Sequence, residues 1–376
     1  MVQLPHSYRG LLEGLGLVDR ADVLDLYEAR AARGFGDGFA AIILPAYLLE
    51  IGFNPFAIGL VATAALLGSA ATTMAVGFLA PRYHLRTLLL ACAALMVLTG
   101  VAIPGFQHFI FIALVAFIGT MNPTTGDIGV HVPLEQAALA HRALDAERTH
   151  IFARYSLIGA YFYSRLPRAE VTETSQQATA LGPSRRTVYK LAALFSLDAF
   201  AGGFTVQSIM ALWLFERFDL SLAAASAFFF WSNVLAAFSY PVAARLGKRF
   251  GLVNTMVFTH IPSSVCLILA AFSPNLTVVL ALLLVRSALS QMDVPTRTSY
   301  VMAVVTPAER TAAASVTAVP RSLASAISPA MSGALLSTAF AGLPLIICGV
   351  LKIVYDLSLL FSFRHIKPPE EKERPH

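Results

Sequence analysis

Long apolar runs separated by short charged connections set the pattern of this chain. A bilayer core about 30 Å thick takes roughly twenty apolar residues of helix. Ten runs meet that length: 32–50, 55–79, 86–104, 107–126, 188–214, 221–243, 251–272, 276–297, 311–338 and 342–363. Each is too long for a strand and none alternates with period two, which excludes a β-barrel. The pattern predicts an all-α, polytopic membrane helical bundle. Small residues crowd several runs, as in Leu67-Gly68-Ser69-Ala70-Ala71 and Ala313-Ala314-Ser315, and such residues let helices approach closely in lipid. Residues 151–163 are apolar apart from Arg154, but a segment that short makes only about 20 Å of helix. It reads as a short helix on the cytoplasmic side or half-inserted.

The basic residues orient the runs. One set of connections carries Arg82 and Arg86; Arg142 and Arg148; Arg165, Arg168, Arg185, Arg186 and Lys190; Arg245, Lys248 and Arg249; and Arg310. The alternate set, around Asn54, Gly105, Phe218, Pro274 and Gly342, carries only Arg217. By the positive-inside rule the first set is cytoplasmic, as are both termini. Composition agrees with a lipid-facing exterior. Of the 376 residues 57% are hydrophobic and only 13% charged, against about a quarter charged in a soluble domain. The net charge of +5 is modest, and no basic face with interleaved aromatics points to nucleic acid. The three cysteines, Cys92, Cys266 and Cys348, each lie in an apolar run, so neither a disulfide framework nor a zinc site is expected. The first thirty residues hold His6, Arg9, Glu13, Asp19, Arg20, Asp22, Asp25, Glu28 and Arg30, a charge density that argues against a signal peptide there.

An internal repeat runs through the chain. Pro133-Leu134-Glu135-Gln136 is followed by Ala146-Glu147-Arg148-Thr149, and Pro295-Thr296-Arg297-Thr298 by Ala308-Glu309-Arg310-Thr311. Glu147 and Glu309 are 162 apart, Arg82 and Arg245 163, and Asp37 and Asp198 161. A near-constant offset implies two parallel copies of one helical unit. The stretch Gly77-Phe78-Leu79-Ala80-Pro81-Arg82-Tyr83-His84-Leu85-Arg86 and its echo Ala244-Arg245-Leu246-Gly247-Lys248-Arg249 carry a resemblance to the major facilitator superfamily of transporters. The stretch Arg33-Gly34-Phe35-Gly36-Asp37-Gly38-Phe39 and the Ala-Glu-Arg-Thr loops are similar to it as well. Pro81 stands where the family carries an acidic residue, and His84 where it carries glycine. The resemblance covers residues 30 to 364 and implies six spans per half. After Glu309 two long runs remain, whereas after Glu147 only about forty residues precede the next half. The first half is therefore expected to be shortened, with four spans and a stub. The expected division is a cytoplasmic segment 1–31, an N-terminal bundle 32–163, a linker 164–187, a C-terminal six-helix bundle 188–364 and a tail 365–376.

Ionisable groups within a span cost about 2.5–3.5 kcal/mol on insertion scales and are functional candidates by default. They are Asp37, Asp127, Asp198, Arg286, Asp293 and Arg321. The resemblance implies that the first and fourth helices of each half line a central cavity, and all of these except Arg321 fall on those helices. An aspartate in apolar surroundings can take up a proton. The competing reading is a structural ion pair, such as Arg286 with Asp37 or Asp198. The resemblance also implies that Arg82, Arg86, Arg245, Lys248, Arg249, Glu147, Arg148, Glu309 and Arg310 belong to cytoplasmic gating loops. No phosphate loop, metal-spaced His/Glu set or nucleophile elbow is present in the sequence, so neither an enzyme nor a cofactor or metal is expected. The expected activity is secondary active transport of a small solute by alternating access in the inner or plasma membrane. Proton coupling, export and a monomeric state are part of that expectation. A degenerate, non-transporting paralogue with a scaffold or regulatory role is the alternative.

Overall fold

A computed structural model of the chain describes residues 40–79, 83, 85–119, 182–306 and 309–364. The described residues are helical with no strand among them. The first half supplies α1 (Ala40–Glu50), α2 (Pro55–Leu79), α3 (Leu85–Ala102) and α4 (Phe109–Ile118). The second supplies α5 (Arg185–Gly203), α6 (Gln207–Phe218), α7 (Leu222–Phe250), α8 (Leu252–Phe272), α9 (Leu276–Ser290), α10 (Asp293–Ala303), α11 (Arg310–Leu336) and α12 (Leu343–Phe363). Seven segments among the described residues are long and apolar enough to cross a membrane. Two of them are helix pairs: α5 with α6 over Arg185–Phe218, and α9 with α10 over Leu276–Ala303.

Several runs end differently from the sequence reading. The run 221–243 extends as helix to Phe250, so Arg245, Lys248 and Arg249 sit on the last turns of α7 and not in the loop after it. Basic residues there complement the negative end of the helix dipole, which prolongs the helix. Gly251 follows with φ +90°, a conformation in which a side chain would be strained, and turns the chain into α8. The run 276–297 likewise continues to Ala303 after a break at Gln291 and Met292.

Helix α11, expected from the run 311–338 to span, is long but too polar to be among those seven. Ser322, Ser325, Ser328 and Ser332 recur at helical spacing and are all buried. Ser328 donates to the Phe200 carbonyl, and Ser332 to the Phe204 carbonyl at 2.8 Å. Gly203 of α5 lies flat against the same face, where a Cβ would meet the Ser325 carbonyl and the Ser328 side chain. Small residues thus replace apolar bulk as the packing surface. The opposite side of α11 packs on α2, joining the two halves: Thr63 Oγ1 accepts from the Ala330 N–H at 3.1 Å. A shared apolar core connects Leu48, Ile58, Leu66 and Ile112 of the first half with Trp213, Leu267 and Leu345 of the second. Of the aromatic run on α7, Phe228 and Phe229 are buried, while Phe230 and Trp231 lie on the outer surface with Phe238.

Candidate functional site

Both helix breaks open onto one polar cavity of about 190 Å³ inside the C-terminal bundle. The first break, at Phe204–Val206, tightens the end of α5, where Phe204 and Thr205 N–H groups donate to the Ala201 and Gly202 carbonyls. Irregular backbone at membrane depth is tolerated where it is buried in protein or lines such a cavity. Helix α6 then starts at Gln207, on the cavity wall, and α10 starts at Asp293, also on the wall.

Buried charges form a connected network along one side of this cavity. Lys352 Nζ donates to Asp198 Oδ1 at 2.6 Å, and Arg297 Nη1 donates to Asp198 Oδ2 at 3.3 Å. The same Arg297 atom bonds Asp293 Oδ2 at 2.9 Å, one turn back on α10. Lys352 Nζ lies 3.3 Å from His260 Nε2, and His260 Nδ1 lies 2.9 Å from Asp356 Oδ1. A lysine ammonium has only donors. Nε2 therefore accepts, and Nδ1 carries the hydrogen given to Asp356. Ser232 and Ser287 hydroxyls pair across α7 and α9. Gln207 is 7% exposed and lines the cavity, and neither atom of its amide has a hydrogen-bond partner among the described residues.

Of the residues singled out from the sequence, Asp198, Arg286, Asp293 and Arg321 line this one cavity. The pairing of Arg286 with Asp198 is not formed, because Asp198 faces α12 and α10 and is taken up by Lys352 and Arg297. Asp37 and Asp127 lie outside the described residues, as do Arg82, Glu147 and Arg148. Four residues of the network escape the sequence reading. Lys352 and Asp356 stand inside the run 342–363 and His260 inside 251–272, so the rule that flags Arg286 applies to them equally. Arg297, which the run lengths put at the very end of a span, lies instead within α10. Gln207 carries no charge and gives no comparable signal.

Glu309 precedes α11 and ties it to the start of α5. Its carboxylate accepts from the Thr306 hydroxyl at 2.7 Å and from the Gly182 N–H. Thr306, Gly182 and Ser184 together hold its pKa down to about 2 from the ordinary 4.5. A depressed folded-state pKa gives stabilisation that is complete above the unfolded value and lost as pH falls through the folded one. The tie is therefore expected to be indifferent to pH between about 5 and 8, whereas Glu309→Gln loosens it at neutral pH. Hydrogen exchange at the Gly182 amide should speed up in the variant. In the parent, its protection should stay constant across that pH range once the intrinsic pH dependence of exchange is divided out. Arg245, Lys248 and Arg249 show exposed side chains at the end of α7. Arg86 and Arg310 fall in the first turns of α3 and α11, and their side chains lie outside the described residues.

Residues 192–376 match the family model of the Major Facilitator Superfamily. The C-terminal half of the chain thus matches this superfamily. The match covers the helices that build the cavity, from α5 to α12. Among solved structures, the human organic anion transporter MFSD10 (TETRAN) is similar with a TM-score of 0.63 at 15% identity, covering 90% of this chain and 96% of that one. A point mutant of the nucleoside transporter NupG is similar with a TM-score of 0.63 at 12% identity, covering 91% and 98%. These likenesses place the described helices in the superfamily's fold. The uncharacterized membrane protein YJR124C of Saccharomyces cerevisiae is 22% identical over 431 residues, 94% of this chain and 96% of its own length. Since 94% of this chain is about 353 residues, about 78 of the 431 aligned positions have no residue of this chain opposite them, so the yeast protein carries a stretch, or several, with no counterpart here. Among the described residues no cluster of three or more His, Cys, Asp or Glu is placed to hold a metal ion.

Proposed function

We propose that this chain is a secondary carrier that moves a small solute by alternating access, with the cavity of the C-terminal bundle as its solute site. The observation that carries this reading is the cavity itself, placed where two spans break and walled by ionisable groups. Its volume of about 190 Å³ is below the roughly 300–1,000 Å³ of sites for drug-sized ligands, which suits a small solute. MFSD10 is an organic anion transporter and NupG a nucleoside transporter; at such low identity they favour a carrier without favouring either substrate. The proposal includes a plasma-membrane location, cytoplasmic termini, a monomer, and the division into bundles 32–163 and 188–364 on either side of a linker. Proton coupling through Asp37 belongs to it, with export as one direction.

Purified protein in proteoliposomes with an imposed pH gradient tests the reading. Accumulation of a solute against its gradient is expected, and Asp37→Asn should abolish accumulation while leaving passive exchange. A protein that moves no solute in a broad screen, yet folds, would instead favour the non-transporting reading, to which the roughly 78 unmatched positions of the yeast alignment lend weight.

A further inference from the structure

We propose that the C-terminal cavity selects an anionic solute, with Arg286 as the counter-charge and Gln207 at the head of α6 as a second contact. The carrier reading above supplies where the solute comes from and goes; the recognition chemistry stands on the cavity's own groups.

The charges nearest one another already balance. Lys352 and Arg297 are matched by Asp198 and Asp293 through the ion pairs at 2.6, 3.3 and 2.9 Å. Arg286 is left over. It lines the same cavity, half-buried on α9, and no carboxylate among the described residues lies within ion-pair distance of it. A guanidinium keeps its charge in any protein environment, so Arg286 cannot become neutral to suit its surroundings. A charge at this depth needs a partner. A cationic solute would find the two carboxylates that line the cavity, Asp198 and Asp293, engaged and Arg286 repelling it. A neutral solute would leave the guanidinium uncompensated. A carboxylate or phosphate meets the planar fork with two parallel hydrogen bonds.

The backbone adds to this preference. Helix α6 begins at the cavity, and Val206 and Gln207 both line it. The N-terminal end of a helix carries about half a positive charge and free N–H groups. In membrane carriers, half-helices of this kind point their N-termini at anionic groups. The Gln207 amide, unpartnered and buried, offers a donor and an acceptor for the polar remainder of the solute. Arg286 therefore sets the sign of the charge, and Gln207 reads the atoms around it.

The test uses the full-length protein in detergent and three isosteric probes at fixed ionic strength: benzoate, benzamide and benzamidine, with glutarate and inorganic phosphate as further anions. At least one anion is expected to raise the thermal midpoint in a saturable way, while benzamide and benzamidine do not. Arg286→Gln should weaken that anion by roughly tenfold or more, as expected on removing one member of a desolvated charge pair. Arg286→Lys, which keeps the charge and loses the fork, should recover part of the affinity. Arg185→Gln, an exposed change on the cytoplasmic end of α5, should leave it unchanged. Stabilisation by benzamidine or benzamide equal to that by benzoate would overturn the proposal. So would the absence of stabilisation by all three anions at millimolar concentration, or a folded Arg286→Gln protein with the parental affinity. Should Arg286→Gln fail to fold, the isostere comparison on the parent decides alone. An anion that binds but is never taken up by proteoliposomes removes the carrier reading and leaves the anion site standing. Uptake of a neutral or cationic solute without anion binding does the reverse.

Discussion

Asp198→Ala is expected to destabilise the protein by about 3–5 kcal/mol, the usual consequence of removing one member of a buried ion pair. Asp198 is 5% exposed and is the acceptor for two cations that are themselves almost fully buried, Lys352 and Arg297. Among the described residues, its loss leaves Lys352 with only the His260 nitrogen and takes from Arg297 one of two carboxylates. Against a total stability of roughly 5–15 kcal/mol for a folded domain, that is a large share. Lys352→Met should cost less, because Asp198 keeps Arg297 and the methionine occupies the apolar path of the lysine stem. The double variant Asp198→Ala with Lys352→Met should then be more stable than the two single effects predict. A coupling of about 0.5–3 kcal/mol is typical of residues sharing one network. Thermal unfolding of the detergent-purified variants measures all of these effects. An Asp198→Ala protein within about 0.5 kcal/mol of the parent, the range of ordinary surface changes, would mean that the network contributes nothing to the fold.

The spans and the pairing of charges differ in how far the sequence reveals them. A run such as 251–272 is legible because membrane helices must be long and apolar, and the helix Leu252–Phe272 follows it within a residue. The breaks at 204–206 and 291–292 are less so, since the Gly202-Gly203 pair and Pro295 beside them are residues that unbroken membrane helices also carry. Asp198, Arg286 and Asp293 stand out by the cost of charge in a span, and the fold gathers them on one cavity. Who pairs with whom depends on the rotation of each helix. Helices that are apolar on all sides, like α2, carry no polar face from which to read that rotation. Lys352 illustrates the remaining gap. It stands in plain view within an apolar run, and its value comes from the proximity of α12 to α5, which pairs residues 154 positions apart.

The crossing of α2 and α11 yields the other large effect. Gly59 of α2 lies against the Pro329 carbonyl, where an added Cβ would fall 2.5 Å from the oxygen, and Gly333 of α11 lies still closer to the Pro55 carbonyl. The two contacts are reciprocal, one helix's glycine against the other's backbone, next to the connections at 51–54 and 337–342. In the proposed orientation those connections are non-cytoplasmic, and this crossing would close that end between the halves. Alanine at an ordinary helical glycine would gain up to about 1 kcal/mol. Here the obstacle is backbone, which cannot swing aside as a side chain can. Gly333→Leu must therefore part the helices, and overpacking of this kind costs roughly 1–3 kcal/mol. Because the strain exists only while the crossing is closed, the same energy shifts the balance towards an open end by about 5–150-fold. A cysteine at Thr63, whose hydroxyl meets the Ala330 N–H in the crossing, reports the opening when Cys92, Cys266 and Cys348 have been replaced. In intact cells a membrane-impermeant thiol reagent should label it slowly in the parent and much faster with Gly333→Leu or Gly59→Val. Labelling only after the cytoplasmic side is exposed would reverse the proposed orientation. Unchanged labelling and unchanged melting in both glycine variants would mean that the halves do not meet at these glycines.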